Sequence, residues 1–314
     1  MNLLVTGGAG FIGSQFLINE KLDGKKFHKV YILDSLTYAG NLKNLDAVLK
    51  DEKFHFVLGD IKDPKVVNEL VSEVDVIVNF AAESHVDKSI HDATPFVQNN
   101  ILGTQVLLDA TRHQGKKRFI QISTDEVYGS INQGEWDESC ALMPNSPYAA
   151  SKAAADLLVL SYHHTYNLDL VITRSCNNFG PRQLTEKLIP LVITNLIKGK
   201  KVPVYGDGKN IREWIYVSDN CKYISKIIEK GAPGQIYNIG SGVRLNNLEI
   251  VRSILRIMNL SESYIEFVRD RLGHDQRYAL NSTKIHQTTK TRFESDFYEM
   301  LEKTIQWYQA NFDI

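Results

Sequence analysis

Asn2-Leu3-Leu4-Val5-Thr6-Gly7-Gly8-Ala9-Gly10-Phe11-Ile12-Gly13 joins a short apolar run to a cluster of glycines and then to a stretch with helical spacing. The run has the length and content of a strand buried on both faces, and the glycines mark a tight turn into a helix. Residues without a side chain let backbone N–H groups approach a pyrophosphate at the helix start. Two frames fit: Gly8, Gly10 and Gly13 give G-x-G-x-x-G, while Gly7, Gly10 and Gly13 give a wider-spaced variant. Alone the motif is weak. Asp34 strengthens it, because it ends the second apolar run 21 residues after Gly13, where an acid meets the adenosine ribose hydroxyls. A carboxylate there repels a 2′-phosphate, so the expected cofactor is NAD and not NADP. Asp60, after the third run, is placed to reach the adenine. The bland alternative is a structural glycine turn with a solvated Asp.

Short apolar runs alternate with helical patterns through the first half. The runs cover 3–6, 30–34, 54–60, 74–82, 119–124 and 168–174. Helical stretches cover 11–20, 64–71, 99–113 and 147–166. Strand–helix alternation predicts an α/β fold, a Rossmann-type doubly wound parallel sheet. The second half is less regular, with helices expected over 188–198, 218–230, 248–258 and 297–311 and strands over 202–205, 235–240 and 265–269. This predicts a smaller, discontinuous substrate-binding lobe. Residues 1–175 are expected to form the NAD-binding domain, with 215–245 returning to it, and 176–214 with 246–314 the nucleotide-sugar lobe.

Beyond the fifth apolar run stands Ser123-Thr124-Asp125-Glu126-Val127-Tyr128-Gly129. A strand ending in a hydroxyl and two acids builds no core there. In extended backbone Asp125 and Glu126 would face opposite ways, so acting on one substrate requires a turn just after the strand. The carboxyl edge of a doubly wound sheet is where ligands sit. Downstream, Ser146 and Pro147 read as a helix cap and first turn. Tyr148 and Lys152 then share one helix face. A lysine ammonium near a phenol favours the phenolate, which predicts a tyrosine able to act as a base near neutrality. Tyr-x-x-x-Lys alone is an ordinary exposed pair, and a bare Asp-Glu is usually a solvated loop; together, between a nucleotide motif and a helix, they read as an acid/base centre.

These motifs identify the chain as resembling the extended short-chain dehydrogenase/reductases that modify nucleotide sugars, and within them the dTDP-glucose 4,6-dehydratases. Residues 123–129, Tyr148 with Lys152, the stretch 270–278 (Asp-Arg-Leu-Gly-His-Asp-Gln-Arg-Tyr) and 80–87 (Phe-Ala-Ala-Glu-Ser-His-Val-Asp) carry the resemblance. It implies NAD-dependent oxidation at C4, elimination of water across C5–C6 and return of the hydride to C6. Tyr148 would take the C4 hydroxyl proton, Thr124 bond the C4 oxygen, Lys152 tune Tyr148, Glu126 take the C5 proton and a protonated Asp125 donate to the leaving C6 hydroxyl. The implied cofactor contacts are Gly7, Gly10, Phe11, Ile12, Gly13, Asp34, Asp60, Ile61 and Ala81, with Tyr148 and Lys152. The implied substrate contacts are Ser84, Thr124, Asn177, Glu186, Lys187, Arg212, Asn247, Arg271 and His274. Departures from the pattern sit around the substrate lobe: Ser175-Cys176 in exchanged order, Leu184-Thr185 where an aromatic-Pro pair is common, Leu272 for Pro and Gln276 for Arg. They touch the choice of sugar nucleotide and not the reaction type.

The 314 residues are 43% apolar and 23% charged, with net charge −1, which gives no electrostatic case for nucleic acid or an anionic membrane. Three cysteines, Cys140, Cys176 and Cys221, have no metal-like spacing and fit a reducing compartment. No signal peptide precedes the first strand, and no apolar stretch approaches the ~18 residues of a membrane span, so the expected location is the cytoplasm. No metal is expected, and the resemblance implies a homodimer through a four-helix bundle, which 99–113 and 147–166 of each subunit would supply. The open alternatives are the same chemistry on UDP-glucose or another nucleotide hexose, a 4-epimerase or decarboxylase, and a non-catalytic NAD-binding sensor.

Overall fold

In this computed structural model residues 1–24, 26–270, 272–293 and 295–311 are described. The first half builds β1 (Asn2–Thr6), α1 (Phe11–Asp23), β2 (Lys29–Asp34), β3 (Phe54–Leu58), α2 (Pro64–Ser72), β4 (Val76–Asn79), α3 (Val86–His91), α4 (Thr94–Phe96), α5 (Thr104–Gln114), β5 (Arg118–Thr124) and α6 (Pro147–Tyr166). The second half continues with β6 (Asp169–Ser175), β7 (Asn177–Phe179), α7 (Leu188–Ile197), β8 (Val202–Tyr205), β9 (Ile211–Tyr216), α8 (Val217–Lys230) and β10 (Ile236–Ile239). The chain ends with β11 (Arg244–Asn246), α9 (Asn247–Ile257), β12 (Ile265–Val268), α10 (Thr283–Thr289) and α11 (Phe297–Ala310).

Seven strands form one parallel sheet in the order β10-β6-β5-β4-β1-β2-β3. Both faces are covered, as a parallel sheet requires. Leu3 and Val5 of β1 join Phe16 and Leu17 of α1 and Ile224 and Ile227 of α8 in one core. Leu4, pointing the other way, joins Val67 and Val71 of α2 and Leu107 and Leu108 of α5 in another. Each such buried side chain contributes about 1.5–3 kcal/mol. The order reverses between β1 and β4, so the switch point lies at the carboxyl ends of these two strands. A third core packs α7, α9 and α11 around Phe179, Val202, Val204 and Trp214, away from the large sheet.

The helix starts follow their signals. Ser146 Oγ accepts the Ala149 N–H at 3.1 Å with Pro147 in the first turn of α6. Asn246 and Glu249 form a reciprocal capping box at α9. Two readings are corrected. The single helix expected over 99–113 is a π-helical stretch, Val97–Gly103, running into α5. An extra residue in one turn shifts the 3.6-residue period without interrupting the run of helix-forming and apolar residues, so the sequence still reads as one helix. Strand β9 leaves no clear apolar run in the sequence, because Arg212 and Glu213 interrupt its pattern, yet both are buried and paired. Glu213 Oε2 accepts from Arg244 Nε at 3.1 Å and from the Leu280 N–H at 3.0 Å. β7, β11, α3 and α10, of three to seven residues each, are likewise too short to show in the sequence pattern. Among the described residues, no helix is long and apolar enough to cross a membrane.

Beneath the sheet's carboxyl edge lies a buried ion pair. Asp156 of α6 accepts from Arg174 Nε of β6 at 2.9 Å and from Ser123 Oγ of β5 at 3.0 Å, and both charged side chains are all but inaccessible. Removing one partner leaves an uncompensated buried charge. Asp156→Ala is therefore expected to lower unfolding free energy by about 3–5 kcal/mol, read by chemical denaturation. A loss under about 1 kcal/mol would show that the pair is not sealed from water.

Candidate active site

The glycine turn is the first wall of a cleft at the switch point. Gly7 (φ +66°) has its N–H bonded to Leu33 O at 2.8 Å, and a Cβ on it would stand 2.6 Å from the Ala81 nitrogen. A Cβ on Gly13 would stand 2.4 Å from Gly7 O. Gly7, Gly10 and Gly13 line the cleft, while Gly8 packs against Ile32 underneath, so the wider-spaced frame is the one that faces a ligand. Asp34 is anchored by its own turn: its Oδ2 accepts the Ala9 N–H at 2.9 Å and its Oδ1 the Leu36 N–H at 2.8 Å. Phe11, Ile12, Asp34, Asp60, Ile61 and Ala81 all line the same cleft. This cradle of side-chain-free backbone beside a fixed carboxylate fits a dinucleotide. Among the described residues no cluster of three or more His, Cys, Asp or Glu could hold a metal ion.

The acid pair sits where β5 ends. Thr124 is the last extended residue, and its Oγ1 accepts the Glu126 N–H at 3.3 Å, capping a 3₁₀ turn over Asp125–Tyr128. This is the turn that two adjacent acids require in order to serve one site. Asp125 is 2% exposed and Glu126 half-buried. Burial, with the neighbouring Glu126 and Glu213 charges, pushes the Asp125 carboxyl well above the usual carboxylate range, against the opposing effect of Arg212. Its Oδ2 is buried with no hydrogen-bond partner among the described residues. An isolated buried carboxylate oxygen is tolerable when the group is neutral.

Tyr148 and Lys152 face the cleft from α6. The expected lowering of Tyr148 by Lys152 is not what the geometry gives. Burial raises the phenol well above its ordinary value, and the Glu126 and Asp125 charges add to this, while a hydrogen bond with Thr124 works against them. Lys152 Nζ instead donates to Ile122 O at 2.6 Å. Burial lowers it to about 8, opposed by the Asp156 carboxylate one helical turn on. A neutral Asp125 removes one of the charges that hold Tyr148 protonated.

Of the expected substrate residues, Ser84, Thr124, Asn177 and Lys187 line the cleft. Glu186 turns to His85 Nε2 at 3.4 Å and Lys88 Nζ at 3.3 Å. Arg212 and Asn247 are not on this wall; they gather around Asp275. Arg212 Nη2 donates to Asp275 O at 2.9 Å and its guanidinium lies 4.3 Å from the centre of the Tyr278 ring. Asn210 Nδ2 donates to the same carbonyl at 3.0 Å, and the Asn247 N–H donates to Asn210 O at 3.2 Å. His274 lies off the wall as well, with Nδ1 2.7 Å from Asp270 Oδ1. Arg271 lies outside the described residues. Sequence reasoning missed Thr37, Glu83, Asn99 and Gln183, which also line the cleft. Asn99 stands in the π-helical stretch, which periodicity could not reveal. Glu83 adjoins Ser84 in a stretch already singled out.

The family model of GDP-mannose 4,6 dehydratase matches residues 4–304. The chain is 53% identical to the low-salt glycan biosynthesis protein Agl12 of Haloferax volcanii, over 98% of each. It is 48% identical to the dTDP-glucose 4,6-dehydratase of Actinoplanes sp., over 99% of this chain and 98% of that protein. DesIV, the dTDP-glucose 4,6-dehydratase from Streptomyces venezuelae, solved with NAD and dTDP bound, superposes with a TM-score of 0.97 at 48% identity, covering 99% of this chain and 98% of its own. The UDP-glucose 4-epimerase of Thermotoga maritima superposes almost as well, TM-score 0.91, at 25% identity, covering 99% of this chain and all of its own. The backbone is therefore shared between dehydratases and epimerases, so the fold alone does not set the chemistry. By its matched length and its close relatives, the chain belongs to the GDP-mannose 4,6 dehydratase family of extended short-chain dehydrogenase/reductases, alongside the dTDP-glucose 4,6-dehydratases.

Proposed function

We propose that this chain is an NAD-dependent dTDP-glucose 4,6-dehydratase, a hydro-lyase that yields dTDP-4-keto-6-deoxyglucose. The observation that carries the reading is the Thr124-Asp125-Glu126 turn opposite Tyr148 in a cleft that begins at a dinucleotide cradle. Gly7, Gly10, Phe11, Ile12 and Gly13 would hold the pyrophosphate, Asp34 the adenosine ribose, Asp60, Ile61 and Ala81 the adenine side, and Lys152 the nicotinamide ribose. When bound, NAD supplies a positively charged ring that accepts a hydride from C4 and returns it at C6.

The residues of the chain move the protons. The C5 hydrogen of glucose is not acidic; a ketone at C4 makes it so. Tyr148 takes the C4 hydroxyl proton while Thr124 bonds the C4 oxygen. Glu126, the more exposed acid, takes the C5 proton. Asp125, kept neutral by burial, gives its proton to the departing C6 hydroxyl, which leaves as water. Glu126 then returns a proton to C5, and the proton left on Tyr148 balances the one Asp125 gave up. Two adjacent carboxyls can divide these roles because burial pushes them apart. Ser84, Asn177 and Lys187 would meet the glucosyl diphosphate, with Glu186 beside them. Arg212, Asn247, Arg271 and His274 would hold the diphosphate and nucleoside; an arginine fork suits a diphosphate. Residues 1–175 with 215–245 serve as the NAD-binding domain, and 176–214 with 246–314 as the sugar-nucleotide lobe. The three free cysteines suit a cytoplasmic protein.

A homodimer belongs to the same reading. Val97 (51% exposed) and Leu102 (46%) on one helical run, and Leu157 (57%) on α6, leave apolar side chains in water that a second copy would cover. Sedimentation at micromolar concentration is expected to give twice the 35.6 kDa chain mass, and a monomer would refute the dimer.

Wild-type protein is expected to convert dTDP-glucose, in preference to UDP-glucose, into a product lighter by one water. Glu126→Gln is expected to cut this turnover by about 10²–10⁴-fold, the usual worth of a positioned base, while still oxidising C4. Normal turnover by that variant would remove Glu126 from the role; no turnover of any nucleotide hexose by the wild type would favour the sensor reading. Because Lys152 acts as an ammonium and burial brings it to about 8, its charge is present below that pH and lost above it. The alkaline limb of kcat/KM should therefore fall near pH 8, and a profile flat to pH 10 would contradict this.

A further inference from the structure

Three loops meet at the mouth of the cleft, and one half-exposed lysine joins them. Lys88, on α3, sets its ammonium 3.4 Å from the centre of the Tyr38 ring and 3.3 Å from Glu186 Oε2. Tyr38 belongs to the loop after β2, between Thr37 and Ala39, which both line the cleft. Glu186 precedes Lys187, which lines the cleft from the far side and donates from Nζ to Ser84 O at 2.7 Å. The loops after β2, after β4 and before α7 are thus tied to one another by side chains at one point.

A lone surface ion pair contributes little, because water solvates both partners well. The Lys88 ammonium differs in having two partners at once, a carboxylate and the face of a ring, and a cation over a ring gains as it is shielded. Neither Lys88 nor Tyr38 lines the cleft, and the chemistry above uses neither. Their contact links the wall expected to face the adenosine with the walls expected to face the sugar.

We propose that Lys88 is a positioning residue that pins the three walls of the cleft together against Tyr38 and Glu186, and so sets how slowly NAD leaves. This rests on the NAD reading given above. Escape of the dinucleotide requires the ion pair and the ring contact to break together. A reaction that returns its hydride within each turnover loses nothing by retaining its cofactor.

The test is the exchange of bound NAD for added isotope-labelled NAD, followed by mass spectrometry after denaturation. Lys88→Ala is expected to exchange about five- to tenfold faster than the wild type, the size of one ion pair and one cation–π contact. Its KM for dTDP-glucose should rise, with kcat at saturating NAD unchanged. Tyr38→Ala should do the same, and Tyr38→Phe, which keeps the ring, should exchange like the wild type. The Lys88→Ala/Tyr38→Ala double variant should exchange markedly less fast than the product of the two single effects predicts, because the ring contact is lost in either. Wild-type exchange rates in both alanine variants, or full multiplicativity in the double, would overturn the proposal. A wild type that neither carries nor binds NAD would overturn the cofactor reading itself, and this proposal with it.

Discussion

The placement of every reacting group depends on Asp156, a carboxylate with no solvent exposure. It sits on α6 one turn past Lys152, and it holds Ser123 at the end of β5 and Arg174 on β6. Arg174 passes the constraint on, because its Nη1 donates to the Tyr128 hydroxyl at 2.8 Å, and Tyr128 donates to Asn238 of β10 at 2.9 Å. Tyr128 closes the turn that carries Asp125 and Glu126. One carboxylate therefore relates the helix of Tyr148 and Lys152 to the turn of Thr124, Asp125 and Glu126. Burying two charges costs several kcal/mol each before they attract one another, so an apolar pair of equal volume could stabilise the fold as well. What an apolar pair could not do is fix the strand ends and the helix in one register, or leave a negative charge beside Lys152.

Above that network, exposure differentiates two neighbouring acids. Asp125 lies beneath Glu126 with one oxygen that has no hydrogen-bond partner among the described residues, and the two carboxyls repel, so the buried one carries the proton. The same two charges press Tyr148 upward. The site is thus a coupled set: neutralising Asp125 both arms it as a proton donor and eases ionisation of the phenol. The sequence-based picture of Lys152 as the direct activator of Tyr148 is replaced by one in which Lys152 is anchored to the Ile122 carbonyl and kept cationic by Asp156.

Much of this was legible from residues alone. The glycine turn, Asp34 and the alternation of apolar runs with helical stretches predict the parallel sheet, and the Thr-Asp-Glu turn with Tyr148 and Lys152 predicts the centre of the site. These signals are local, lying within a turn or a few residues. What stayed hidden depends on pairing across the fold. Strand β9 carries Arg212 and Glu213, charges that read as surface until Asp275, Leu280 and Arg244 are seen to satisfy them. The π-helical stretch that presents Asn99 and Asn100 breaks the helical period without breaking its hydrophobicity. Asn100 bonds both the Glu83 N–H, at 2.8 Å, and its carbonyl, at 3.0 Å, so a cleft wall is set by a residue that no motif marks. The substrate residues divide in the same way: Ser84, Thr124, Asn177 and Lys187 line the cleft, while Arg212 and Asn247, on the second-half strands and helices, gather around Asp275.

The central claim is that one cleft oxidises, eliminates and reduces the same sugar, with the hydride never leaving it. The most direct measurement uses dTDP-glucose deuterated at C4, incubated with the purified protein in ordinary water, with NMR following the label. The account predicts that the deuterium reappears in the C6 methyl group of the product. A product whose methyl group carries only solvent hydrogen, or a C4-deuterated sugar recovered without loss of water, would contradict it.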